Sequence, residues 1–165
     1  MSGVPPCLDV YVWVEARRLR DVVAEFIRRY VDVDDPGDVR VEAFSRVWIH
    51  GGATAADHEA LADLRRDPDG GKAFSLYLRA RHHHAAIITI TEEGALILGL
   101  SIDDPHDSPE TVDQAAELLT RLRDEFAASA GAANVELPPP QCTAEWVQAE
   151  AILRVEGAGP ARRVM

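Results

Sequence analysis

The sequence predicts an α+β fold, an antiparallel-rich sheet with helices packed on one face. Three observations predict it. Residues 8–16 alternate strictly, the period of a half-buried strand, and residues 17–31 switch to the period of an amphipathic helix. Residues 85–102 then hold two apolar runs, AAIITIT and ALILGLSI, about a turn at Glu92-Glu93-Gly94 that ends in a residue tolerant of positive φ. No other stretch is as apolar for as long, so this hairpin belongs at the centre of the sheet.

The elements follow in order. Residues 1–6 read as a frayed leader. In the first strand Leu8, Val10, Val12, Val14 and Ala16 face one side, and Asp9, Tyr11, Trp13 and Glu15 the other. In the helix Leu19, Val22, Val23, Phe26, Ile27 and Tyr30 form one stripe, and Asp34-Asp35-Pro36-Gly37 ends it. Residues 39–49 also alternate, with Val39, Val41, Ala43, Val47 and Ile49 as the core set and Arg40, Glu42, Phe44, Arg46 and Trp48 opposite. This predicts a second strand and, with the first strand and helix, a right-handed βαβ unit.

Thr54 caps a short helix over residues 55–66, with Asp57 at the capping-box position. A strand over 73–81 sets Phe74, Leu76, Leu78 and Ala80 against Ser75, Tyr77, Arg79 and Arg81. After the hairpin, Ser108 caps a long helix with Pro109 at its first position, and Gly131 suits its end. Residues 134–137 read as an edge strand stopped by Pro138-Pro139-Pro140; Thr143 opens a helical segment with Trp146, Val147 and Leu153, and 157–165 reads as a loose tail.

This order, β-α-β-(α)-β-β-β-α-β, resembles the split-βαβ, ferredoxin-like architecture with a helical insert. The resemblance is one of element order over about the first five-sixths of the chain and implies no activity. One domain is expected, with its core over about 8–137, a C-terminal extension over 138–156 and a flexible tail over 157–165.

At 165 residues such a chain can bury roughly 70% of its unfolded surface without a metal or a disulfide. No apolar run nears the roughly 20 residues that cross a bilayer, and no signal pattern opens the chain, so a cytoplasmic location is expected. Lys72 is the only lysine, a bacterial-looking usage. Cys7 and Cys142 form no CxxC pair and read as reduced thiols. A net charge of −11 weighs against nucleic acid; it would draw in a basic protein partner, though its plainer role is to keep the protein in solution.

The leading candidate site is geometric. If the helices cover one face, Tyr11, Trp13, Phe44, Trp48 and Tyr77, with Arg40, Arg46 and Arg79 among them, lie together on the other. These are the residue types enriched in binding hot spots. Three occupants compete for that face: the chain itself, through the insert helix or the segment after Pro140 with Trp146; a second copy of the chain; and a separate partner protein or ligand, with an RNA platform a distant fourth because the chain is acidic.

A lesser candidate is metal. His82 and His84 of the run Arg81-His82-His83-His84 point to one side of an extended chain, and an antiparallel hairpin brings them near Asp103, Asp104 and His106. The acidic residues just before Ser108 equally suit the positive end of the following helix. The turn at Asp32–Gly37 fails as a calcium loop, since Ala43 stands where a bidentate Glu is required. No nucleophile elbow and no phosphate-cradling glycine pattern occurs.

The expectation is therefore a non-enzymatic acidic binding module with no cofactor, contacting a protein partner. In size, charge and lack of motif it is similar in type to bacterial immunity proteins, which neutralise toxins that are often basic nucleases. The alternatives are a small metal-assisted or acid–base enzyme using the histidine run and the 103–107 loop, and a homodimer joined through the sheet face.

Overall fold

The computed structural model describes residues 7–67, 69–104, 108–157 and 162–164. Its frame is one seven-stranded sheet in the order β2-β3-β4-β1-β5-β6-β7, antiparallel throughout. The strands are β1 Cys7–Val14, β2 Phe74–Leu78, β3 Ala85–Ile90, β4 Leu96–Asp103, β5 Ala130–Val135, β6 Leu153–Glu156 and β7 Arg162–Arg163. The helices are α1 Leu19–Tyr30, α2 Arg40–Ser45, α3 Ala55–Ala62, α4 Pro109–Phe126 and α5 Thr143–Gln148. This is the α+β class expected, with the long helices on one face. Among the described residues no helix is long and apolar enough to cross a membrane.

Alternation divides the sheet cleanly. Leu8, Val10, Val12 and Val14 of β1 join Leu76, Ile88, Leu98 and Leu100 in the main core, under Phe26 of α1 and Leu119, Leu122 and Phe126 of α4. The odd-numbered residues of β1 face the other way, as the period-2 reading required. There Tyr11 meets Ile87, Ile97, Ala132 and Trp146 in a second, smaller core.

Capping chemistry starts the helices as read. The Thr54 hydroxyl accepts from the Asp57 amide at 3.3 Å, and the Asp57 carboxylate accepts from the Thr54 amide at 3.0 Å. Ser108 Oγ accepts from the Glu110 amide at 3.2 Å, with Pro109 at the first helical position.

Four expectations are corrected. Residues 39–49 are not a strand, and so form no βαβ unit: they are α2 followed by a π-helix at Arg46–His50. Phe44 is fully buried beside Phe74, while Val39, placed in the core by the strand reading, is 79% exposed. The segment carries two periods at once. Val41, Phe44 and Trp48 recur at i, i+3 and i+7, and burying the two aromatic side chains outweighs burying Val39.

The long helix ends at Ala127, which takes the left-handed cap at φ 48°. Gly131 lies instead inside β5, where an added Cβ would stand 2.4 Å from Leu119 Cδ1 and 2.9 Å from Val155 Cγ1. It is a packing glycine that lets α4 settle on the sheet. Residues 134–137 are not a free edge strand: β5 runs Ala130–Val135 and is flanked by β1 and β6. Finally, the C-terminal segment holds both helix and strand, and Arg162–Arg163 of the expected loose tail pairs with Leu153 and Arg154. The leader at 1–6 lies outside the described residues.

Candidate functional site

The single aromatic face expected from strand parity is not formed. With residues 39–50 helical, Phe44 and Trp48 go to the main core on the helix side, their rings 6.3 Å apart. Arg40 forks onto Asp38 at 2.8 Å, and Arg46 onto Asp57 at 2.7 Å, where it holds that carboxyl well below the usual carboxylate range. Arg79 pairs with Asp35. Of the predicted set only Tyr11, Trp13 and Tyr77 share the second face, where Tyr11 is buried, Trp13 half-buried and Tyr77 55% exposed.

The chain's own C-terminal extension covers that face. Tyr11 Oη donates to the Leu137 carbonyl at 2.6 Å. Gln141 Nε2 donates to Ser75 Oγ at 2.8 Å, which shares a 2.7 Å hydrogen bond with Thr89 Oγ1. Trp146 packs edge-on against Trp13 with centroids 5.5 Å apart. The covering segment is thus tied down by hydrogen bonds to buried groups as well as by an indole, the first of the three occupants weighed for this face.

Covering the middle leaves a cleft at each end. At the end where β1 leaves the sheet, a cleft of about 460 Å³ is walled by Trp13, Trp146, Ala95 and Ala130. Its polar groups are Glu15, Glu93, Ser129 and Thr143. Glu93 Oε1 accepts from the Thr143 amide at 2.9 Å, and Glu15 Oε1 from Ser129 Oγ at 3.4 Å. Two indoles and two carboxylates converge here, and among the described residues that line the cleft none is basic.

At the opposite end, a cleft of about 380 Å³ is lined by Cys7, Asp9, Tyr77, His84, Ser101 and Glu136, among others. His84 Nδ1 stands 2.9 Å from Asp103 Oδ1. Burial, with the neighbouring Asp103, Asp9 and Glu136 charges, pushes the Cys7 thiol up to about 11. The histidine run is a bend rather than strand, and His83 turns to the helix side against Tyr30, with centroids 6.2 Å apart, where burial lowers its pKa. Of the predicted metal set, His84 and Asp103 come together. His82 and Asp104 do not join them, and Asp104 is buried as the acceptor for the Ser108 amide at 2.9 Å. His106 lies outside the described residues.

Sequence reading places Trp146 over this face but misses Cys7 and Glu93 as members of these clefts. Each reaches its cleft through pairing with a distant strand or through the crossing of residues 137–146, for which no local signal exists.

Asp9 supplies a test of this end of the sheet. Nearly buried, it accepts from Ser101 Oγ at 2.6 Å, yet burial outweighs that bond and raises its carboxyl to about 6. A raised folded-state pKa stabilises the fold at low pH, and that stabilisation is lost as pH rises through about 6. The cleft opens to water, so screening leaves a cost of about 1 kcal/mol at neutral pH. Asp9→Asn is therefore expected to raise Tm by about 2–4 °C at pH 7.5 and to leave it unchanged at pH 4, both in EDTA. A lower Tm at pH 7.5 would refute this account.

No protein-family model matches the chain, and neither a curated protein nor a solved structure matches it.

Proposed function

We propose that the chain is an acidic protein-binding module, an inhibitor of the immunity-protein type, that grips a basic side chain of its partner in the Trp13–Trp146 cleft. The convergence of two indoles with Glu15 and Glu93 in one open cleft carries this reading. A guanidinium or ammonium over an indole face gains from the ring quadrupole, and flanking carboxylates add charge-assisted hydrogen bonds. The net charge of −11 draws a basic partner toward any face of the molecule, and the cleft gives that attraction a point of docking.

The binding reading predicts a saturable response to basic peptide. An arginine-rich peptide titrated at low salt should perturb tryptophan fluorescence, and a glutamate-rich peptide of equal length should not. Trp48→Phe should keep the response, since Trp48 lies on the helix side. Trp13→Ala and the pair Glu15→Gln/Glu93→Gln should each weaken binding at least about fivefold, the range of a single cation–π or rim charge contact. Raising the salt to about 0.5 M should weaken it further, because screening then acts within a few ångströms. Affinity unchanged in both variants would overturn the proposal, as would a response that saturates equally with the acidic peptide.

A further inference from the structure

We propose that Cys7, His84 and Asp103 form a binding site for a divalent transition metal of the zinc class. This site lies at the other end of the sheet from the Trp13–Trp146 cleft and does not depend on it. The three donor atoms, one sulfur, one imidazole nitrogen and one carboxylate oxygen, all lie within 4.8 Å of one another. Cys7 Sγ is 3.8 Å from Asp103 Oδ1, and His84 Nδ1 is 2.9 Å from the same oxygen.

A tetrahedral zinc with Zn–S of about 2.3 Å and Zn–N or Zn–O of about 2.0 Å sets S···O near 3.5 Å and N···O near 3.3 Å. Both measured separations differ from these by less than about half an ångström, so side-chain rotation suffices. Three protein ligands leave one position for water or a ligand group. The mix of thiolate, imidazole and carboxylate suits zinc or cobalt and is a poor match for calcium or magnesium, which take oxygen donors.

Backbone pairing brings the ligands together. Cys7 and Asp103 are register partners across β1 and β4, and the His84 amide donates to the Ser101 carbonyl at 3.0 Å. Glu136 grips both backbone groups of Cys7: its carboxylate accepts from the Cys7 amide at 2.8 Å, and its own amide donates to the Cys7 carbonyl at 2.8 Å. To do so it holds φ 50°, a conformation that a non-glycine residue keeps only where its surroundings demand it. Asp9 and Glu136 add negative charge around the donor set, and among the described residues lining the cleft the one basic side chain is His84, itself a proposed ligand. A divalent ion answers that imbalance. On binding, the Cys7 thiol proton passes to solvent and its sulfur forms the metal–thiolate bond.

The full chain, carrying no histidine tag and stripped with EDTA, would be titrated with cobalt(II). One equivalent should bind with the intense tetrahedral visible bands and a thiolate-to-cobalt charge-transfer band, and zinc should displace it. Cys7→Ser should abolish the charge-transfer band. His84→Gln and Asp103→Asn, both at exposed side chains, should each weaken binding tenfold or more with unchanged circular dichroism. They keep the test decisive should the Cys7 variant fail to fold. His82→Gln should change nothing. A weak octahedral spectrum without the sulfur band, or binding that is lost with His82 and kept without His84, would overturn the site.

Discussion

Replacing Gly99 with valine is expected to cost the folded state about 3 kcal/mol, lowering Tm by about 6–12 °C. Gly99 of β4 stands opposite Tyr11 of β1, and an added Cβ would sit 2.6 Å from both Cδ1 and Cε1 of that ring and 3.3 Å from Ile87 Cβ. The ring has no room to retreat. It is fully buried among Ile87, Ile97, Ala132 and Trp146, and its hydroxyl is held by the Leu137 carbonyl. Either the central strands part, or the ring swings out and releases the crossing of residues 137–146. A double-mutant cycle separates this clash from a general intolerance of side chains in β4. With Tyr11→Ala in place, Gly99→Ala should cost at least about 1 kcal/mol less than in the parent, the coupling expected of residues in contact. Strictly additive effects would show that Tyr11 is not what excludes the side chain.

The second large effect lies at Phe44. Phe44→Ala is expected to destabilise by about 3–5 kcal/mol, the range for a buried aromatic truncated to a cavity, and so to remove a large part of a typical domain's stability of about 5–15 kcal/mol. Val39→Lys, five residues earlier, is expected to stay within about 0.5 kcal/mol of the parent. The contrast follows from burial, since Phe44 is sealed between Trp48 and Phe74 while Val39 faces solvent. A strand over 39–49 reverses the order of the two effects. Urea midpoints of the two variants therefore discriminate between the helical and extended conformations directly.

That pair of residues also shows where sequence reading succeeds and where it stops. Period and capping suffice where a segment admits one solution. Residues 8–14 alternate with no competing helical stripe, α1 has an unbroken stripe, and α3 and α4 carry capping residues that work as such. The 39–49 segment admits two, because its large side chains fit either the far face of a strand or the buried stripe of a helix, and nothing local decides which face the core occupies. The error then spread, since the aromatic face borrowed Phe44, Trp48, Arg40 and Arg46 from a strand that does not exist. The odd-numbered side of β1 was read correctly, as was the possibility that Trp146 folds over it. Cys7 beside Asp103, and Glu93 beside Thr143, depend on strand register and chain crossing at long range. No window along the sequence contains them.

The position of β1 bears on how the chain reaches this structure. It precedes the other strands of the sheet in chain order, yet it lies mid-sheet between β4 and β5, with Leu8 opposite Ile102 on one side and Val135 on the other. Neither partner exists until the chain has been made past Asp103 for β4 and past Val135 for β5. During that interval a strand of Val, Leu, Tyr and Trp has no neighbour, while the β2-β3-β4 meander can already zip up locally. Pairing at that sequence separation carries the largest chain-closure cost in the sheet, so β1 is expected to dock after the local meander has formed.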